Sequence, residues 1–279
     1  MNVIIVDDCS HVMGDLLPFL DTDITVQFLQ RSRGLWSKTF GIAWQIHKAQ
    51  GDLVHCNYAL QNAWLTDKLS HLDILHCHGS DIRCALNSRR YGWIVRYSLC
   101  HAKKVLYATP DLADKVKQFR GDAVYLPTPV DTERFSLKEE YSSGKLKALY
   151  FKQSYEVVED FSFEFKVIQK YFDVTIHERN VPYEQMPQFL KQFDLFIDRF
   201  SIPSFSKTCL EAMSCGLSTI DCRHNASLNS LRSVLEDDRS VQDVGWFNRM
   251  FVENNHNVKV VAKQLSQIYR EEAIKNGVA

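Results

Sequence analysis

The stretch DLFIDRFSIPSFSKTCLEAMSCGLSTIDC (residues 194–222) decides the fold. Two short apolar runs, DLFID and LSTIDC, bracket a serine-containing loop and a helix-like segment that Gly216 closes. Runs this short, bounded by turn residues, read as buried strands, and the segment between them is long enough for a helix. A strand, a helix and a second strand in that order make a parallel crossover, which needs helices on both faces of its sheet. The helix carries a single acid, Glu211, among small and apolar residues. That acid is either a solvated surface charge or a group with a task.

Working outward, the same alternation fills the chain. VIIV (3–6), ITVQFL (24–29), LVHCNYA (53–59), DILHCHG (73–79), KVLYAT (104–109) and AVYLP (123–127) read as strands. Helical periodicity lies between them, over 37–50, in ALQNAWLTDKL, over about 89–102, and from Pro110, a residue suited to a first helical turn. PTPVDTERFSLKEEYSSGK (127–145) then breaks the rhythm and reads as a linker. Alternation resumes with LKALYF (146–151), a helix near 158–171, DVTIHE (173–178) and a helix near 183–193. Two helices, near 227–236 and 257–275, end the chain. The expectation is α/β, with Rossmann-like domains at 1–135 and 136–279 and ligands held beyond the carboxyl ends of the strands.

Length and charge narrow the function classes. The 279 residues carry 33 Lys and Arg against 34 Asp and Glu, a net charge of −1, which argues against a nucleic-acid partner. Eight cysteines are scattered with no CxxC pair, so they read as free thiols rather than a disulfide framework. His76, Cys77 and His78 alternate faces along a strand and make poor co-ligands, so no metal site is expected. No run approaches the ~20 apolar residues of a membrane span. A cytoplasmic protein is expected, either free or peripheral at the inner membrane face.

Three segments, in order, resemble the retaining glycosyltransferases of the GT-B fold, in particular the family 4 group. LHCHGSDIR (75–83) is similar to the strand-end His-Gly-Ser-Asp loop of the family's first domain. ATPDLADKVKQF with YLPTPVDTERF, within 108–135, resembles its Thr-Pro helix start and its PNPVDTxRF connection. LEAMSCGLSTI resembles LEAMAxGxPVI. The resemblance implies two parallel sheets facing across a cleft, the first domain for the acceptor and the second for a nucleotide-diphosphate sugar donor. It departs at Pro203, where members often carry a first glutamate, and better fits the variant with an aspartate, here Asp198, thirteen residues before Glu211. The basic pair that faces the donor diphosphate has no clear match, and Lys152 or Arg199 are the stand-ins.

Physical roles follow for these positions. Ser204, Phe205, Ser206, Lys207 and Thr208 sit at the helix N-terminus, where unpaired amides and the macrodipole suit a diphosphate. The resemblance implies that Glu211 accepts the ribose hydroxyls; the alternative is a Thr208–Glu211 capping box. The resemblance implies that His78, Gly79, Ser80, Asp81 and Arg83 line the acceptor side, with His78 orienting or deprotonating a hydroxyl or Asp81 fixing it without proton transfer, unless Ser80 and Asp81 only bond their own turn. The resemblance implies an acceptor that is a glycan, a lipid-linked molecule or a small molecule. SRRYGWIVRYSLCHAKK (88–104), basic and aromatic at helical spacing, is either an ordinary domain helix or a membrane-surface contact. Transfer with retention, no metal and no cofactor is the expected chemistry. The competing readings are a degenerate GT-B protein that binds a nucleotide or partner without turnover, and an epimerase of nucleotide sugars, for which no acid pair is evident.

Overall fold

The computed structural model describes residues 1–30, 40–152, 168–199, 202–221 and 241–277. Two units emerge, Met1–Pro129 with Val258–Ala279, and Val130–Asn257.

The first unit is built on strands whose side chains are buried on both faces. β1 (Asn2–Val6), β3 (Leu53–Asn57) and β4 (Ile74–Cys77) carry continuous apolar runs rather than alternating ones, as a covered parallel sheet requires. With β2 (Thr25–Leu29), β5 (Lys104–Tyr107) and β6 (Val124–Tyr125) they form a six-stranded sheet in the order β2-β1-β3-β4-β5-β6. Every pair is parallel. One face packs under α2 (Ile42–Lys48), α3 (Gln61–Leu69), α5 (Gly92–His101) and α6 (Ala113–Lys117), through Ile46, Ala63, Leu99 and Val116. α1 (Val12–Leu16) covers part of the other face, and α4 (Ser80–Arg83) follows β4.

The second unit holds a four-stranded parallel sheet, β10 (Ser218–Ile220), β9 (Leu195–Ile197), β7 (Lys147–Phe151) and β8 (Asp173–His177), in that order. Among the described residues its helices include α7 (Met186–Leu190), α8 (Lys207–Ser214) and α9 (Val241–Asn255). α8 ends in a Schellman motif: the Leu217 amide donates to the Ala212 carbonyl and the Gly216 amide to Met213, with Gly216 at φ 83°. α9 escapes sequence reading because Gly245 interrupts its pattern. A methyl group on Gly245 would stand 1.9 Å from the Gly216 carbonyl oxygen, so the glycine marks where α9 touches the α8 turn. Gly245→Ala is therefore expected to cost about 1–3 kcal/mol, read as a lowered urea midpoint with an unchanged slope. A midpoint equal to wild type would show that the contact opens without penalty.

Two expected boundaries move. The segment 127–145 is not a linker throughout: Phe135 is fully buried, and Lys138 lies buried with its ammonium 2.9 Å from Asp194 and bonded to the Phe193 carbonyl. The units meet between Pro129 and Val130 rather than at 135/136. The last helix, α10 (Val258–Lys275), belongs with the first sheet and not with the second domain. Its stripe Val258, Val261, Ala262, Leu265 and Tyr269 covers Val3, Ile5, Leu53 and Ile74, a face that α1 alone is too short to close. Each large side chain buried there is worth about 1.5–3 kcal/mol. The Ser37 cap, most of the 158–171 helix, the 227–236 helix and Cys222 lie outside the described residues.

Candidate functional site

In the second unit, β9 delivers Asp198 and Arg199 to the loop that leads into α8. Asp198 is buried, and its carboxylate accepts the Ser206 amide at 2.9 Å. Burial raises its pKa, and neighbouring Arg199 partly offsets that. Ser206 caps α8, its Oγ accepting the Cys209 amide at 3.0 Å. Asp198 and Ser206, expected to face the donor, thus fix the mouth of the helix. Ser204 is buried, Thr208 is half-buried on the first turn, and Phe205 meets Phe251 of α9 edge to face at 5.7 Å. Lys152, exposed beyond β7, pairs with Glu178.

With the cap at Ser206, the Thr208–Glu211 capping box is not the arrangement formed. Glu211 lies beyond the first turn and is 3 % exposed. Its Oε1 accepts the Tyr183 hydroxyl at 3.2 Å, and the Lys207 ammonium stands 3.9 Å away. Lys207 also sits 5.1 Å above the Tyr183 ring, and the Arg134 guanidinium lies over the same ring at 4.4 Å while donating to the Tyr183 carbonyl. Two cations, a phenol and a carboxylate are gathered at one helix. Tyr183 and Arg134 are the members that sequence reading missed. Arg134 was visible as the arginine of PVDTERF; nothing local marked Tyr183.

The first unit presents a second cluster where β1, β3 and β4 end. His78 is half-buried, with Nε2 2.8 Å from the Asn57 Oδ1, and Asn57 donates its amide to the Asp7 carbonyl at 2.8 Å. That bond orients the Asn57 oxygen toward His78, so Nε2 carries a proton. Asn62 donates to the Asp7 carboxylate. Among the described residues, the non-glycine residues at positive φ are Asp7, Ser10, His11 and Tyr58, all beyond the ends of β1 and β3. Strain of that kind gathers at functional surfaces.

Other expected members of this loop are occupied by the fold. Asp81 is fully buried, and its carboxylate accepts the amides of Gly79 (2.8 Å), Ile82 (3.0 Å) and Ala59 (3.1 Å). Burial raises its pKa against those hydrogen bonds. Arg83 grips Asp111 through two nitrogens at 2.7 and 2.9 Å and Thr109 at 2.9 Å. Its guanidinium lies across Gly79, whose φ of 138° and lack of a side chain permit the approach. Ser80 is half-buried at the start of α4. After β1, the Asp8 carboxylate takes the Met13 and Gly14 amides at 2.8 and 3.1 Å, filling the start of α1 with a negative charge.

Behind His78, inside the first unit, lie two more imidazoles. The rings of His78 and His76 are 4.1 Å apart, and those of His76 and His55 5.6 Å. His55 Nδ1 meets the Tyr269 hydroxyl of α10 at 2.7 Å. His55 Nε2 and both His76 nitrogens are buried with no hydrogen-bond partner among the described residues. Burial pushes His76 down to about 3 and His55 well below its ordinary value, so both are neutral. Among the described residues no three His, Cys, Asp or Glu side chains are placed to share a metal ion.

No family model matches the chain, and no curated protein does. Solved structures do. HepE of Anabaena, in complex with UDP and glucose, aligns with a TM-score of 0.70 at 12 % identity, over 97 % of this chain and 99 % of that one. The catalytic domain of starch synthase IV from Arabidopsis thaliana, bound to ADP and acarbose, gives 0.59 at 11 % identity, over 99 % of each chain. A UDP-N-acetylglucosamine 2-epimerase described as putative, from Listeria monocytogenes, gives 0.59 at 9 %, over 95 % and 94 %. Identities this low speak for the fold alone. With its two parallel sheets, the chain has the α/β GT-B fold.

Proposed function

We propose that the chain is a glycosyltransferase of the retaining, family 4-like type, moving a sugar from a nucleoside-diphosphate sugar to a hydroxyl acceptor without a metal ion. The observation that carries the reading is Glu211: a carboxylate 3 % exposed on a helix it does not cap, held between Tyr183 and Lys207. The helix cap is made by Ser206 without it, and a carboxylate is suited to accept both hydroxyls of a ribose. The positive end of α8, with Lys207 and Arg134 nearby, supplies the charge that stabilises a departing diphosphate. In the first unit His78 is the group that engages the acceptor hydroxyl, and Asp81 positions its loop. The bond from the anomeric carbon to the diphosphate breaks as the acceptor oxygen bonds the same carbon on the same face. The hydroxyl proton leaves by way of the His78 imidazole to the departing phosphate oxygen. No second carboxylate is assigned a nucleophilic role.

One set of observations favours a second reading, a GT-B protein that binds a nucleotide without turnover. Asp81, Arg83 and Asp198 are all engaged within the fold, which leaves few groups for chemistry.

Isothermal titration of UDP, ADP and GDP tests the donor site. One of the three is expected to bind, and Glu211→Gln, which keeps an acceptor for Tyr183 while removing the charge, is expected to weaken it by about 10- to 100-fold, the worth of a charged hydrogen bond. Equal affinity in wild type and Glu211→Gln would refute the assignment. A nucleotide-sugar panel then separates the two readings, since binding without release of the nucleoside diphosphate from any donor would favour the second.

A further inference from the structure

The outer face of the α2–α3–α5 layer serves neither cluster described above. Ile42 and Ile46 of α2, Ala63 of α3, and Val95 and Leu99 of α5 enter one core on one side of the first sheet, so the opposite faces of these helices point outward together. Trp44 on α2 is 60 % exposed and Trp93 on α5 is 54 % exposed. Trp64 on α3 meets Trp93 edge to face at 6.3 Å, continuing the aromatic surface across the layer. One turn further on, Lys68 of α3 stands 4.6 Å over the Tyr97 ring of α5. Large exposed indole rings on two helices of one layer are a costly way to meet water, and their place on the outer side of that layer argues for something that covers them.

Charge says what that is. The molecule as a whole is at −1, yet residues 40–104 carry eight Lys and Arg against four Asp and no Glu. Two of those acids, Asp73 and Asp81, are fully buried, and on the outer face Asp67 is engaged by Lys68 and Tyr97. Lys48, Arg89, Arg90 and Arg96 are exposed and form no ion pair among the described residues. Lys48 lies 4.3 Å over the Trp44 ring, and Arg90 stands 5.2 Å from Tyr91, so the cations sit beside the rings rather than apart from them. Indole rings that settle at the headgroup level, flanked by Lys and Arg with almost no acid, match an anionic bilayer surface. No helix among the described residues is long and apolar enough to cross a membrane. Contact at the surface is the mode these residues suit.

We propose that the outer face of α2, α3 and α5 docks on an anionic lipid surface, with Trp44 and Trp93 seated among the headgroups and Lys48, Arg89, Arg90 and Arg96 facing the lipid phosphates. The assignment does not depend on the donor site, because the residues involved belong to the other unit. Cosedimentation of the full chain with phosphatidylcholine vesicles, with and without about one-third phosphatidylglycerol, tests it. The expected result is binding to the anionic vesicles only, weakened by salt and accompanied by a shift of tryptophan emission to shorter wavelength. Trp44→Ser with Trp93→Ser, and separately Arg89→Glu with Arg90→Glu, are each expected to weaken binding by at least about tenfold while leaving the melting temperature and nucleotide affinity at wild-type values. Equal pelleting with neutral and anionic vesicles, or none with either, overturns the proposal. So does full binding by both natively folded variants, or a wild-type dimer in sedimentation velocity that the tryptophan substitutions dissolve.

Discussion

His78→Ala lowers turnover by about 100-fold or more and leaves nucleotide affinity where it was: that is the expected result if the β4 loop handles the acceptor. The size follows from what the side chain can do. Asn57 fixes the ring through Nε2, which holds the imidazole in one orientation from which it can take a hydroxyl proton or hold it in line. A positioned imidazole of this kind contributes about 10²- to 10⁴-fold when it engages a reacting group. Asn57→Ala provides the internal control. It removes no group from the chemistry, but frees the ring to turn, so kcat falls less than in His78→Ala and the pH profile of turnover shifts. A His78→Ala enzyme with wild-type kcat would remove this loop from catalysis and leave the donor assignment standing, because Glu211 lies in the other unit. Asp81→Asn behaves differently. Its carboxylate supports three backbone amides, so the substitution is expected to lower the melting temperature before it alters the rate at permissive temperature.

The strands were legible in the sequence because burial on both faces leaves a local mark: LVHC and DILHC are short, mostly apolar runs with no period-two alternation, and five of five residues of β3 are buried. The α8 crossover was legible for the same reason, helped by Gly216, whose left-handed conformation few other residues accept. What was not legible depends on partners far along the chain. α10 looks like the natural end of a second domain, and only its contacts with β1, β3 and β4 assign it to the first unit. Gly245 reads as a break until its contact with the Gly216 carbonyl is known. In the candidate sites, residue types were read better than their occupations. Asp81, Arg83 and Asp198 have the chemistry expected of ligand-binding groups, yet amides and a carboxylate of the fold already hold them. Glu211 went the other way, because the cap at Ser206 removed the capping-box explanation for it. Its phenol partner Tyr183, 28 residues earlier, left no local sign of the pairing.

The buried histidines lead to the second large effect, a steep loss of stability in mild acid. His55 and His76 are neutral in the folded chain because burial denies water to their charged forms, and among the described residues neither has an acid partner to offset it. In the unfolded chain both titrate near the ordinary 6.5. Below that pH the unfolded state binds protons the folded state refuses, so stability falls as pH falls, from 6.5 down toward the folded value of about 3 for His76. A group held neutral contributes a slope of about 1.4 kcal/mol per pH unit, so His76, with its folded value of about 3, costs about 2 kcal/mol by pH 5, and His55 acts in the same direction. Against a typical stability of about 5–15 kcal/mol that is a large fraction. Asp81 and Asp198, whose folded pKa values are raised, act in the opposite sense: they favour the folded state at low pH and lose that contribution as pH rises. The comparison that isolates the histidines is the urea midpoint between pH 7.5 and 5 in wild type and in His76→Phe. The variant, with one titrating imidazole removed from the same apolar layer, is expected to lose about half of the acid slope whatever its absolute stability. A slope identical to wild type would mean that His76 is not held neutral by the fold.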